Sequence, residues 1–140
     1  MRIDSFPILG TKIHAVQIES ALGFVLDTID KKQGYKYIVS SNANNVINAV
    51  ESTKYKDVMS QAYLSLPDGV PFLWEGRKRG FDLPERCGIQ ELMEALFEMS
   101  NTNDSYTHFF YGNTQQVLDK MIKKLNIKYP KLKVIGSLSP

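Results

Sequence analysis

The apolar residues of the chain recur at two different spacings. Five segments place them three and four residues apart, which is the spacing of an amphipathic helix. The predicted helices cover residues 18–29, 46–50, 70–79, 89–97 and 117–125. Between them lie short runs rich in β-branched and aromatic residues, which are typical of buried strands. The predicted strands cover residues 37–39, 62–66, 107–111 and 132–136.

The alternation of strands and helices predicts an α/β fold. Such a chain forms right-handed crossovers and a mostly parallel sheet with helices on both faces, in a Rossmann-like arrangement. We find no internal repeat and no long linker in the 140 residues. The sequence therefore predicts a single domain over residues 1–140.

Composition and charge narrow the class of protein. The chain is 43% hydrophobic and 23% charged, and its formal net charge is +2. These values are those of a globular protein, and so small a net charge does not argue for a nucleic-acid partner. Cys87 is the single cysteine, which excludes an intrachain disulfide and fits a reducing cytoplasm. No apolar run approaches the ~18 residues of a spanning helix, so membrane contact is expected to be peripheral.

Three polar clusters follow predicted strands. They are Ser40–Asn45, Pro67–Gly69 and Gly112–Thr114. In open parallel sheets, ligands bind in the crevice outside the carboxyl ends of the strands. These clusters are therefore the predicted sites of any chemistry.

Each cluster has a functional and a structural interpretation. The Asp68 carboxylate could take a proton from a substrate hydroxyl, or it could bond to the backbone of its own turn. Four polar side chains follow the first of these strands and suit the hydroxyls of a sugar: Ser40, Asn42, Asn44 and Asn45. The structural alternative is helix capping, which needs only one of them. The segment beginning Gly112-Asn113 could bind phosphate at a helix N-terminus, or it could be a tight turn with an N-cap.

The basic and imidazole side chains also admit two readings. The guanidinium of arginine can form two parallel hydrogen bonds with a diphosphate. The basic residues that could bind a diphosphate lie between residues 77 and 86. A solvated surface is the structural interpretation of the same residues. These candidates are Arg77, Lys78, Arg79 and Arg86. His14 and His108 have no carboxylate at ligand spacing, so both are predicted to be structural. We find no metal-binding or nucleotide-binding motif, and no cofactor is expected.

Five segments, taken in order, resemble the WecG/TagA/CpsF family of glycosyltransferases. They resemble the strand end, the Pro-Asp-Gly segment, the arginine-containing loop, an aromatic strand closed by glycine, and a Tyr-Pro segment of that family. The segments are Val39–Asn42, Ala62–Gly69, Leu83–Cys87 with Leu92-Met93, Phe109–Gly112 and Tyr129–Gly136.

The resemblance implies a specific reaction. Members of the family transfer a sugar such as N-acetylmannosamine from a UDP-sugar to a polyprenyl-diphosphate-linked acceptor, in the synthesis of teichoic acid or other surface polysaccharides, including capsule. It implies inversion without a metal, Asp68 as general base, and attachment to the inner face of the cell membrane. Ser40, Asn42 and Asn44 would then contact the sugar, while Arg86, Gly112 and Asn113 would stabilise the departing diphosphate.

The chain departs from the family pattern at three places. Ser40 stands for threonine, and Glu91 stands for the aspartate of a Gly-x-Asp-Leu motif whose glycine is displaced or lost. The chain also ends at Pro140, before the family's later motifs, so we expect it to lack the C-terminal part. An exposed sheet edge would then favour a homo-oligomer. The alternative interpretation is a non-catalytic nucleotide- or sugar-binding module.

Overall fold

The computed structural model describes residues 3–140, in which helices and strands alternate along most of the chain. The strands are β1 (Ser5–Ile8), β2 (Thr11–His14), β3 (Ile38–Ser41), β4 (Leu64–Pro67), β5 (Thr107–Tyr111) and β6 (Lys133–Leu138). The helices are α1 (Ile18–Asp30), α2 (Ala43–Glu51), α3 (Thr53–Gln61), α4 (Val70–Lys78), α5 (Ile89–Thr102) and α6 (Gln115–Lys128). Every helix and strand predicted from the sequence is present, and the fold is α/β with parallel strand pairs, as a Rossmann-like arrangement requires.

The chain divides into two compact units. Residues up to Leu92 form the first, and Met93–Pro140 form the second. The first unit holds the parallel pair β3–β4 and the antiparallel pair β1–β2, and the second holds the parallel pair β5–β6. The single domain over residues 1–140 stays a prediction.

The β1–β2 hairpin does not follow from the sequence pattern. Its two-residue turn has positive φ angles at both positions, 47° at Leu9 and 77° at Gly10. Leucine is an unusual residue for that turn, where Asn-Gly is the common signal, and Pro7 argues against a strand. The hairpin is stabilised by Phe6 and Ile13, which are paired in register and buried.

Helix α3 is also missing from the sequence prediction. Met59 is its buried residue, and most of its other side chains face solvent, so the apolar pattern is too weak to detect. The helix begins at a serine cap, where the Ser52 hydroxyl accepts a hydrogen bond from the Tyr55 amide at 3.3 Å.

Strand β3 extends further than its apolar run predicts. Ser40 and Ser41, which the sequence places in the turn, are the last two residues of the strand. Ser41 is fully buried, and its hydroxyl forms a hydrogen bond with the equally buried hydroxyl of Ser65 on β4. A buried hydroxyl is tolerated when it has such a partner, so polar residues continue the strand here.

The core of the first unit is an aliphatic and aromatic cluster beside β1 and β2. Its buried members are Phe6, Ile13, Val46, Phe72, Leu73 and Leu83. His14 connects β2 to β4, because its Nδ1 accepts a hydrogen bond from the Ser65 amide at 2.9 Å. This contact confirms the structural role predicted for His14.

The second unit packs around Phe97. The Phe97 ring contacts His108 with its centroid at 5.3 Å, and Phe110 and Tyr129 at 6.0 Å each. His108 Nε2 lies 2.8 Å from the Ser100 hydroxyl, which itself donates to the Leu96 carbonyl. His108 therefore donates its Nε2–H to Ser100 and is structural, as predicted.

In the part of the chain that the structure describes, no helix combines the length and the apolar character needed to cross a membrane.

Gly76 generates a prediction about stability. A Cβ added at Gly76 would lie against Leu83 Cδ1 and 3.0 Å from Phe6 Cζ, both in the core. We expect Gly76→Ala to lower the free energy of unfolding by about 1–3 kcal/mol through overpacking. Gly23→Ala is the matched control, because nothing lies within 4 Å of its added Cβ in α1. The control should raise stability by about 1 kcal/mol. Urea denaturation measures both, and equal effects of the two changes would contradict the packing argument.

His14 generates a prediction about pH. Burial, and then the nearby Lys12 charge, lower the His14 pKa from 6.5 to about 4. As the pH falls below 6.5, the unfolded chain binds the proton first, so the folded state loses stability from pH 6.5 down to about 4. The loss should reach about 3 kcal/mol. His14→Asn keeps an acceptor near the Ser65 amide and removes the titration. A parent and variant with the same pH dependence of stability would refute this.

Candidate active site

Asp68 follows β4 directly, where the strand ends at Pro67. Its side chain is 23% exposed, so the carboxylate is largely covered but open to one side. Ser40 on β3 donates its hydroxyl to Asp68 Oδ2 at 2.6 Å. The two strands are parallel and pair Ser40 with Leu66, which brings both strand ends to one edge. The structure thus brings together the two candidates that the sequence placed at neighbouring strand ends.

Arg86 lies beside the same carboxylate. Its Nη1 is 3.7 Å from Asp68 Oδ1, and its Nη2 is 2.5 Å from Glu91 Oε1. The arginine side chain is 54% exposed and that of Glu91 is 36% exposed. One guanidinium therefore faces two carboxylates at the rim of the site.

The loop that carries Arg86 is fixed at both ends. Arg77 donates from Nε to the Leu83 carbonyl and from Nη2 to the Pro84 carbonyl, both at 2.7 Å. The Cys87 amide donates to the Pro67 carbonyl at 3.2 Å. Arg77, a candidate for diphosphate binding in the sequence, is instead engaged in holding this loop.

Gly88 is a site residue that the sequence did not single out. A Cβ at this position would lie 3.0 Å from Asp68 Oδ1 and would collide with Glu91 Oε2. Glycine is therefore the residue that lets the loop approach both carboxylates. Its signal in the sequence is weak: a glycine just before a helix with an acidic residue in its first turn.

Glu91 is a second residue of the site to which the sequence analysis gives no role. It lies in the first turn of α5, where the helix dipole favours a negative charge. Its side chain points back to Arg86, and its role depends on this contact, which no spacing rule gives.

The asparagines after β3 take structural positions. Asn42 caps α2, and its Oδ1 accepts a hydrogen bond from the Asn45 amide at 2.9 Å. Asn45 donates from Nδ2 to the Ser40 carbonyl at 2.8 Å and accepts from the Tyr55 hydroxyl. Asn44 is exposed on the first turn of α2. The capping interpretation holds for Asn42, and sugar contacts by Asn42 and Asn44 stay predictions.

Gly112 and Asn113 belong to the second unit. Both have positive φ angles, 126° and 59°, in the turn between β5 and α6. The Gly112 amide donates to the Leu138 carbonyl at 3.0 Å, and Asn113 Oδ1 accepts from the Thr114 amide at 2.9 Å. Thr114 in turn caps α6. This is the geometry of the tight turn with an N-cap, and phosphate binding here stays a prediction.

The remaining basic candidates pair on the surface of α4. Lys78 lies 3.0 Å from Glu75, and Arg79 lies 3.7 Å from the same carboxylate. Both are exposed, so each pair contributes little to stability. They fit the solvated surface that the sequence allowed for them.

Comparison with known protein families gives a match that spans these residues. A model of the glycosyl transferase WecG/TagA/CpsF family matches residues 6–140, which is nearly the whole chain. The chain belongs to this family. The match includes both strand ends, the Arg86 loop and Glu91.

Two curated relatives, both from Bacillus, carry the name N-acetylglucosaminyldiphosphoundecaprenol N-acetyl-beta-D-mannosaminyltransferase. The protein of Bacillus spizizenii is 25% identical over 108 residues, and that of Bacillus subtilis is 27% identical over 108 residues. In each case the match covers 77% of this chain and 41% of the relative. The chain thus matches about two fifths of the length of these two relatives.

Cys87 offers a chemical probe of this site. The thiol is fully buried, and burial, followed by the charges of Glu91, Asp68 and Glu85, raises its pKa to about 12. At pH 8 we expect iodoacetamide to alkylate the folded chain about 10³-fold more slowly than the urea-unfolded chain, because the thiolate is the nucleophile. Mass spectrometry follows the single modification. Similar rates in the two states would show that the Arg86 loop is open.

Proposed function

We propose that this chain carries the acid–base centre of a glycosyltransferase. The transferase moves N-acetylmannosamine or a related sugar from a UDP-sugar to a polyprenyl-diphosphate-linked saccharide. The observation that carries the proposal is the Asp68 carboxylate, which is held by Ser40 at 2.6 Å and faced by Arg86. Family membership and the printed names of the two Bacillus relatives support the substrate class.

Asp68 acts as the general base in this reaction. It takes the proton of an acceptor hydroxyl while that oxygen attacks the anomeric carbon of the sugar. The bond from the anomeric carbon to the diphosphate breaks, and UDP leaves from the opposite face with the electron pair. The configuration at the anomeric carbon inverts, and the step uses no metal.

The neighbouring residues divide the remaining tasks. Ser40 occupies Asp68 Oδ2, so Oδ1 is the oxygen that takes the proton. Arg86 contributes positive charge toward the departing diphosphate, as fixed donors do where charge develops. Asn42, Asn44, Gly112 and Asn113 are the further substrate contacts proposed. The acceptor is lipid-linked, so the reaction takes place at the inner face of the cell membrane, as part of teichoic acid or capsule synthesis.

Asp68→Asn tests the proposal. The amide has nearly the same shape but cannot take a proton, so turnover should fall by about 10²–10⁴. Binding of the UDP-sugar should change little, because the base acts on the acceptor. The measurement is release of UDP with and without acceptor, alongside calorimetry of donor binding. Asp57→Asn is the matched control, since Asp57 lies on the exposed side of α3.

Two results would contradict the assignment. Equal turnover in the parent and in Asp68→Asn would remove Asp68 from the reaction. Donor binding by the parent without any release of UDP in the presence of acceptor would instead support the alternative, a non-catalytic nucleotide- or sugar-binding module.

A further inference from the structure

Arg86 contacts its two carboxylate neighbours unequally. The Nη2–Oε1 distance to Glu91 is 2.5 Å, whereas the Nη1–Oδ1 distance to Asp68 is 3.7 Å. A charge-assisted hydrogen bond between guanidinium and carboxylate spans about 2.7–2.9 Å. Arg86 is therefore hydrogen-bonded to Glu91, whereas its interaction with Asp68 is a longer ion pair without a hydrogen bond.

Glu91 is well placed to hold the guanidinium. It sits in the first turn of α5, and the Leu92 amide donates to the Gly88 carbonyl at 3.1 Å to begin that turn. The missing Cβ of Gly88 leaves the space in which Glu91 Oε2 and Asp68 Oδ1 both lie. The backbone of Glu91 is thus fixed by the helix, and its carboxylate has the space beside Gly88 in which to meet Arg86.

Replacement of Glu91 by glutamine would leave Asp68 as the nearest anionic acceptor for the guanidinium, because a neutral amide oxygen accepts a hydrogen bond from a cation more weakly than a carboxylate does. The planar fork of arginine matches a carboxylate and readily forms two parallel hydrogen bonds with it. A carboxylate in so close an ion pair retains its charge and loses affinity for a proton. Such a pair would oppose the reaction in which Asp68 serves as base.

We propose that Glu91 is a positioning residue that holds Arg86 away from Asp68 and so leaves Oδ1 free to accept a proton. The inference rests on the proposed function, in which Asp68 is the general base. Glu91 touches neither the sugar nor the acceptor in this scheme, and it acts through Arg86 alone.

The first test is structural and needs no turnover. In a crystal structure of Glu91→Gln, the Arg86–Asp68 separation should shorten from 3.7 Å to about 2.8 Å, the length of a charge-assisted hydrogen bond. Glu85→Gln is the matched control, because Glu85 is an exposed carboxylate in the same loop. An Arg86 guanidinium that stays where it is in Glu91→Gln would overturn the proposal.

The second test is a double-mutant cycle on turnover. Glu91→Gln should lower kcat about tenfold with little change in KM for the UDP-sugar, in line with the coupling of residues in contact. In the Arg86→Gln background the same change should alter kcat less than about twofold, since no guanidinium is left to restrain. An equal loss in both backgrounds would show that Glu91 acts on its own, against the proposal.

The Cys87 thiol separates positioning from loop opening. Suppose that the Glu91→Gln variant loses turnover and that iodoacetamide alkylates its Cys87 as fast as in the unfolded chain. Glu91 is then a structural support of the loop, and the proposal fails. If the parent has no transferase activity, the proposed function fails, while the crystal structure of Glu91→Gln still decides whether Glu91 restrains Arg86.

Discussion

The pairing register of β3 and β4 is the constraint on which the site depends. Ser40 pairs with Leu66 and Ser41 pairs with Pro67, which places the Ser40 hydroxyl against the Asp68 carboxylate. Side chains alternate along a strand, so a slip of one residue would turn Ser40 to the other face of the pair. The same slip would separate the buried hydroxyls of Ser41 and Ser65, which bond to each other. Because a buried polar group without a partner costs about 1–3 kcal/mol, this contact favours the register that the site needs.

The loop from Leu83 to Gly88 adds a second layer of positioning. Hydrogen bonds from Arg77 fix its start, and the bond between the Cys87 amide and the Pro67 carbonyl fixes its end beside β4. The charges that it brings are partly exposed, so their Coulombic attraction alone is weak. Geometry matters more than the strength of the ion pairs, because a guanidinium within hydrogen-bond distance of Asp68 Oδ1 would compete for the oxygen that takes the proton in the proposed reaction.

The sequence was informative where a general rule links position to structure. Strands alternating with helices predicted the α/β fold, and the rule that ligands sit at the carboxyl ends of parallel strands brought Ser40 and Asp68 to one edge. The rule does not identify Gly88 or Glu91 as site residues, because their contacts depend on the path of the irregular loop that carries Arg86. The sequence pattern does not predict the hairpin at Leu9 or the polar helix α3, because tertiary packing rather than a local apolar pattern stabilises both elements.

The two oxygens of Asp68 differ in their surroundings, so they are not equivalent as proton acceptors in the proposed reaction. Oδ2 accepts the Ser40 hydroxyl, while Oδ1 faces the Arg86 guanidinium and the bare Cα of Gly88. A side chain at residue 88 would reach within 3.0 Å of Oδ1, and a close arginine pair would occupy its lone pairs. In the proposed reaction, glycine and Glu91 therefore serve the same end by different physical means. The glycine keeps the space beside Oδ1 clear of atoms, and the glutamate keeps it clear of a competing hydrogen-bond donor.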